Sequence, residues 1–149
     1  FTYALTHAKH YRQILLHDLD STRSREILAL RAVAHIVRQW NDGKPPTTRE
    51  LADHLEVPSG PLAKVLAPLV RAQILSEGGD PMRPAWLPSR SPESARVSDV
   101  LEVLRGDGPE VDLDHKLDHE VTELYEEMRR SEQADPRNVT LAQLAKLGG

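Results

Sequence analysis

The chain contains no cysteine in its 149 residues. That removes disulfides, thiolate zinc sites, cysteine nucleophiles and cysteine-ligated iron–sulfur clusters. Aromatic residues make up only 4% of it, too few to argue a row of base-stacking rings, so Trp40 and Trp86 read as core or hairpin packing. No run approaches the roughly 18 apolar residues of a membrane-spanning helix, and no charged-then-apolar leader opens the chain. Internal repeats and low-complexity tracts are absent as well. Positive charge is also short: the net charge is −4. Residues 1–75 carry 10 Lys and Arg against 7 Asp and Glu, whereas residues 76–149 carry 9 against 16. The acidic half argues against a nucleic-acid surface there. With 39% hydrophobic residues, the chain can bury one core and a small appended layer.

What is present is concentrated between Pro46 and Pro88. Thr47-Thr48-Arg49-Glu50 forms a capping box that starts a short helix near Thr48, with Leu51, Ala52 and Leu55 on its apolar face. Glu56-Val57-Pro58 ends that helix, because the Pro58 ring disfavours helical geometry at Val57. Ser59 is positioned to cap a second helix with Pro61 in its first turn, and Leu62, Val65, Leu66, Leu69 and Val70 give it a stripe. Pro68 inside it predicts a kink costing around 3 kcal/mol unless compensated. Ile74-Leu75-Ser76 and Trp86-Leu87 are strand candidates around Glu77-Gly78-Gly79-Asp80-Pro81. Two helices across a tight turn, then a hairpin, predict a mainly α winged helix-turn-helix with a small two-stranded β-wing and C-terminal amphipathic helices.

The flanks are helical too. A first helix is expected over Phe1 to about His17, and Phe1-Thr2-Tyr3-Ala4-Leu5 already reads as the middle of an apolar pattern, so a preceding segment is expected. Ser21 or Thr22 caps a long helix in which Ile27, Leu28, Leu30, Ala34, Ile36, Val37 and Trp40 are apolar on more than one side. It ends at Gly43 and the Pro45-Pro46 pair. Beyond the wing, Val97 to Gly106 reads as a short Ser98-capped helix. From about Leu113 to Ser131, Leu117, Val121, Leu124, Tyr125 and Met128 recur at spacings of three and four, an exposed amphipathic helix in need of a partner surface. Thr140 caps a last helix through Leu141 and Leu144.

The order Pro46-Thr47-Thr48-Arg49-Glu50-Leu51-Ala52, Leu55-Glu56-Val57-Pro58, Leu66-Ala67-Pro68-Leu69-Val70 and Ala72-Gln73-Ile74-Leu75 resembles the non-membrane extension of YihY/BrkB-family proteins, also labelled ribonuclease BN-like. His10-Tyr11 before Asp18-Leu19-Asp20, and Arg23-Ser24-Arg25-Glu26 before Ala29-Leu30-Arg31, resemble the stretch that follows that family's last membrane helix. Val97 to Arg105, and Val139-Thr140-Leu141-Ala142-Gln143-Leu144, also resemble segments of Rrf2-type winged-helix regulators, which dimerise through the long helix; the cluster cysteines of some Rrf2 regulators are missing.

Residue chemistry weighs the candidates. Lys44, Arg49, Ser59, Lys64 and Arg71 are the candidate partner or nucleic-acid surface, yet Ser59, Gly60, Pro61 and Ala63 are poor base readers and four cations are sparse for phosphate binding. His115 and His119, spaced i, i+4 among acids, lack a third ligand and read as a solvated face, as do His7 and His10. Asp18 and Asp20 straddle a turn, where Asp is favoured for capping. No carboxylate cluster or other catalytic signature is legible, so neither an enzyme nor a cofactor is expected.

The resemblance then implies a segment following a membrane region over residues 1–20, a winged-helix domain over 21–106, and a helical extension over 107–149 serving as a dimerisation arm. The expected role is non-catalytic docking, regulation or dimerisation at the cytoplasmic face of a bacterial inner membrane. The expected partners are a second copy through Leu117, Val121, Leu124, Tyr125 and Met128, the membrane through a missing N-terminal region, and an unidentified protein. An Rrf2-like DNA-binding regulator is the alternative, and ribonuclease activity a third reading on the family label alone.

Overall fold

A computed structural model describes residues 21–106 and 119–147. The expected opening helix, with His7, His10, Asp18 and Asp20, lies outside the described residues, as do His115 and Leu117. Among the described residues there are six helices and two strands.

Helix α1 (Thr22–Asn41) is the central rod. Ser21 caps it, its hydroxyl accepting from the Ser24 amide at 3.1 Å, and Ala29, Ala32, Val33, Ile36 and Val37 have no accessible surface. Ile27 and Trp40, expected on that apolar surface, are 49% and 44% exposed. The rod stops where Gly43 takes a φ of +71° and the Lys44 amide reaches back to the Gln39 carbonyl at 2.8 Å, a left-handed glycine termination.

Helix α2 (Thr48–Leu55) opens on its expected cap, Thr47 accepting from the Glu50 amide at 3.2 Å. It closes on Glu56 in the left-handed region at φ +57°. Helix α3 (Ser59–Arg71) follows. Ser59 is its first helical residue rather than its cap, since Pro58 occupies that position and makes no side-chain cap bond. The helix runs on past Pro68, which is buried, to Arg71.

Strands β1 (Leu75–Gly78) and β2 (Ala85–Pro88) pair antiparallel with Glu77 opposite Trp86 and Ser76 opposite Leu87. Helix α4 (Val97–Arg105) is started by Asp99, whose carboxylate accepts from the Arg96 amide at 2.8 Å, and not by Ser98. Ser98 is buried instead and meets Asn138: the Asn138 carboxamide accepts from the Ser98 amide at 2.9 Å and donates to its hydroxyl at 2.8 Å. A third bond runs from Asn138 to the Gln133 carbonyl at 2.9 Å. Asn138→Ala is therefore expected to lower stability by about 1–3 kcal/mol, the cost of leaving a buried amide unpaired, read as a shift in urea midpoint at unchanged slope.

Helix α6 (Leu141–Lys146) begins with the expected cap at Thr140, which the Gln143 side chain makes reciprocal. It is stitched to the entrance of α4 by the Leu141 amide bonding Ala95 and the Val97 amide bonding Val139. Leu141 and Ala145 join one core with Leu51, Leu62, Leu66, Leu69, Ile74 and Trp86. Burying this apolar set against α1 is the main stabilising term, at about 25 cal/mol per Å² removed from water.

Helix α5 (His119–Ala134) buries none of its residues. Polar contacts hold it on the chain: Arg129 to Glu102 at 2.8 Å, Gln133 to Glu102 at 2.6 Å, and Arg105 bridging Glu26 of α1 and Glu132 of α5 at 2.8 and 2.9 Å. Exposed pairs of this kind contribute little individually.

Candidate nucleic-acid interface

The surface built by α2, α3 and the wing starts from a local cap and becomes rigid through long-range bonds. Thr48, the first residue of α2, accepts the indole N–H of Trp86 at 2.9 Å and donates its hydroxyl to Glu77 at 2.8 Å. The Trp86 amide donates to the Pro46 carbonyl at 2.8 Å. Both strands of the wing are therefore tied to the start of the helix pair. Glu50 adds an ion pair with Arg83 from the wing connection, and that guanidinium, with help from Thr47, holds the Glu50 carboxyl below its ordinary range.

On α3 the buried positions Leu62, Val65, Leu66, Pro68 and Leu69 face the core, leaving Ser59, Gly60, Ala63 and Lys64 exposed. The outward side of the first two turns is thus small, with one cation. A backbone so thinly covered can approach a groove closely, while Ser59 alone offers a hydroxyl for a base edge. Gly60 is not demanded by packing, because a Cβ there would meet nothing within 4 Å.

The five residues singled out from sequence are all exposed. Lys44 precedes α2, Arg49 stands in its first turn and Ser59 opens α3. Lys64 is turned toward the beginning of α1, sharing a surface depression with Thr22, Arg25, Val65, Leu104 and Arg105. Arg71 closes α3. Acidic Asp53 and Glu56 are exposed on and beside α2, so the face is mixed in sign. Arg83 is the cation that sequence reasoning missed. Its partner Glu50 lies 33 residues away, and no local pattern signals such a pair. Among the described residues, no three His, Asp or Glu side chains gather as metal ligands.

No family profile matches the chain, and no curated protein matches it. Solved structures do. CymR, the global cysteine regulator of B. subtilis, is similar at a TM-score of 0.61 and 18% identity, over 83% of this chain and 94% of its own. T. potens IscR is similar at 0.61 and 15%, over 84% and 85%. Staphylococcus aureus CymR is similar at 0.58 and 17%, over 83% and 96%. The fold is that of Rrf2-type winged-helix regulators. Identities this low show the fold alone. The likeness runs through nearly the whole length of these regulators, so it includes the helices beyond the wing as well as the helix-turn-helix.

The expectation of a docking domain from a YihY/BrkB-like membrane protein, placed at the cytoplasmic face of an inner membrane, is corrected by these neighbours. The matching folds are those of regulators, and nothing found links the chain to YihY/BrkB proteins. Among the described residues no helix is long and apolar enough to cross a membrane. The misreading arose from the capped helix pair and its Pro-bearing turn, which are generic to winged helices and carry no information about what precedes them.

Proposed function

We propose that the chain is a non-enzymatic, DNA-binding transcription regulator acting as a homodimer. The observation that carries this reading is the match to regulator structures along 85–96% of their length. Lys44, Arg49 and Arg83 would contact phosphates, α3 would enter the groove with its small face, and the wing would track the backbone alongside.

Fluorescence anisotropy of the full chain with labelled duplex DNA, scanned over salt, tests it. Binding is expected to weaken linearly in log–log form as salt rises, by about one ion per phosphate contact. Arg49→Glu should weaken binding to all duplexes. Absence of anisotropy change at low salt would overturn the reading.

The dimer rests on α5. Val121, Leu124, Tyr125 and Met128 are 59–66% exposed along one helix; Tyr125 and Met128 border a cavity against Leu101 of α4, and the bonds that dock the helix are polar. An apolar row left open in this way is stabilised by pairing with a like row. Leu124→Glu is expected to halve the mass measured by light scattering while leaving the circular-dichroism spectrum unchanged, because Leu124 packs into no core of its own chain. A wild-type chain of monomer mass would remove the dimer from the proposal.

A further inference from the structure

A cleft of about 410 Å³ lies between α1, the end of α2 and α6. Its volume falls at the lower end of the range for small-molecule sites. One part of its wall is apolar: Ile27, Leu30, Leu144 and Leu147. Ile27 and Leu147 stand half exposed or more at the rim. Ala34 and Leu55 extend that apolar wall, and the other lining residues are basic or protonatable: Arg31 and Arg38 with His35 and His54. No acidic side chain lines the cleft among the described residues.

His35 gives the second indication. It is 9% exposed and its Nδ1 has no hydrogen-bond partner, an arrangement that native interiors rarely leave standing. Its ring stacks on that of His54 at 3.7 Å between centroids and 11° between planes. Stacked parallel rings direct their lone pairs side by side rather than toward one point, which disfavours a shared metal ion. Arg38 is held in place, its Nε donating to the Ala145 carbonyl at 2.9 Å. Arg31 is exposed on the same stripe of α1 two turns earlier. A preorganised guanidinium, a second one along the same stripe, and imidazoles between them suit a carboxylate, and the leucine and isoleucine rim suits an aliphatic chain.

We propose that this cleft binds a small amphipathic carboxylate, its acid group between Arg31 and Arg38 and its chain along Leu144 and Leu147. His54 sits in the last turn of α2, so occupancy would bear on the first helix of the helix-turn-helix. Binding itself is independent of whether the chain reads DNA.

The test is titration of the full chain with octanoate by calorimetry, alongside NMR of the histidine rings. Octanoate is expected to saturate with a Kd below about 1 mM and to move the His35 and His54 resonances. Arg31→Gln, which removes a charge-assisted hydrogen bond without touching the core, should raise that Kd roughly tenfold. Octylamine, with the same chain and opposite charge, should not bind. Lack of saturation by about 10 mM octanoate, undiminished binding by Arg31→Gln, or equal binding of octylamine would each overturn the proposal.

Discussion

Trp86→Ala is expected to lower stability by about 3–5 kcal/mol, the range for emptying a buried large aromatic site. That is a large fraction of the roughly 5–15 kcal/mol that holds a domain of this size. Trp86 is 4% exposed, joins the core with Leu51 and Leu75, and also donates its indole N–H to Thr48. Trp86→Phe separates the two contributions. It keeps most of the packing and loses the indole bond, so a loss nearer 1 kcal/mol is expected, with the fold intact and the wing still tied to the start of α2 through Glu77 and the residue 86 amide. Urea unfolding of both variants measures the difference. Equal losses would mean that the hydrogen bond, rather than ring burial, dominates.

The second large effect is a loss of stability in acid. Burial first, then the charges of His54 and Arg38, push the His35 imidazole down from 6.5 to about 4. A group depressed in the folded state binds more protons when unfolded, so stability falls as pH drops from 6.5 toward 4. The total over that window is about 2–3 kcal/mol, since each tenfold difference in proton affinity between the folded and unfolded chain is worth about 1.4 kcal/mol. The upper part of the window is mainly His35's, because the carboxylates held low by arginines, Glu50 beside Arg83 and Asp135 beside Arg137, begin to contribute only within about one pH unit of their ordinary values of 4.5 and 3.8. His35→Leu should therefore flatten the dependence of urea midpoint on pH between 6.5 and 4.5. An unchanged slope in that variant would assign the acid sensitivity elsewhere.

The elements that were legible beforehand share one property: their signals are local. Ser21, Thr47 and Thr140 each cap a helix through a bond to the residue three positions on, and such bonds follow from short-range geometry whatever the rest of the chain does. The hairpin and the stripe of α3 were readable for the same reason, except that Val70, expected in that stripe, is 39% exposed. Ser98 shows the limit. It had the residue type of a cap and an acid to follow, yet Asn138, 40 residues away, claims its amide and hydroxyl, and Asp99 starts α4 instead. Resemblance failed differently: motifs that specify a winged helix were read as specifying the protein that carries it, whereas comparison of whole folds found the Rrf2-type winged-helix fold and nothing of the membrane family.

Sequence alone thus determined the winged helix-turn-helix, the absence of thiol chemistry and the amphipathic character of α5, because apolar periodicity, caps and composition act within a few residues. The tertiary structure decided the remainder. It joined Glu50 to Arg83, bridged Glu26 and Glu132 through Arg105, turned Lys64 toward α1, and stacked His35 on His54 beside two arginines. Each of these depends on chain segments brought together by burial of a common core, and the entropy of closing such loops is repaid only when that core forms.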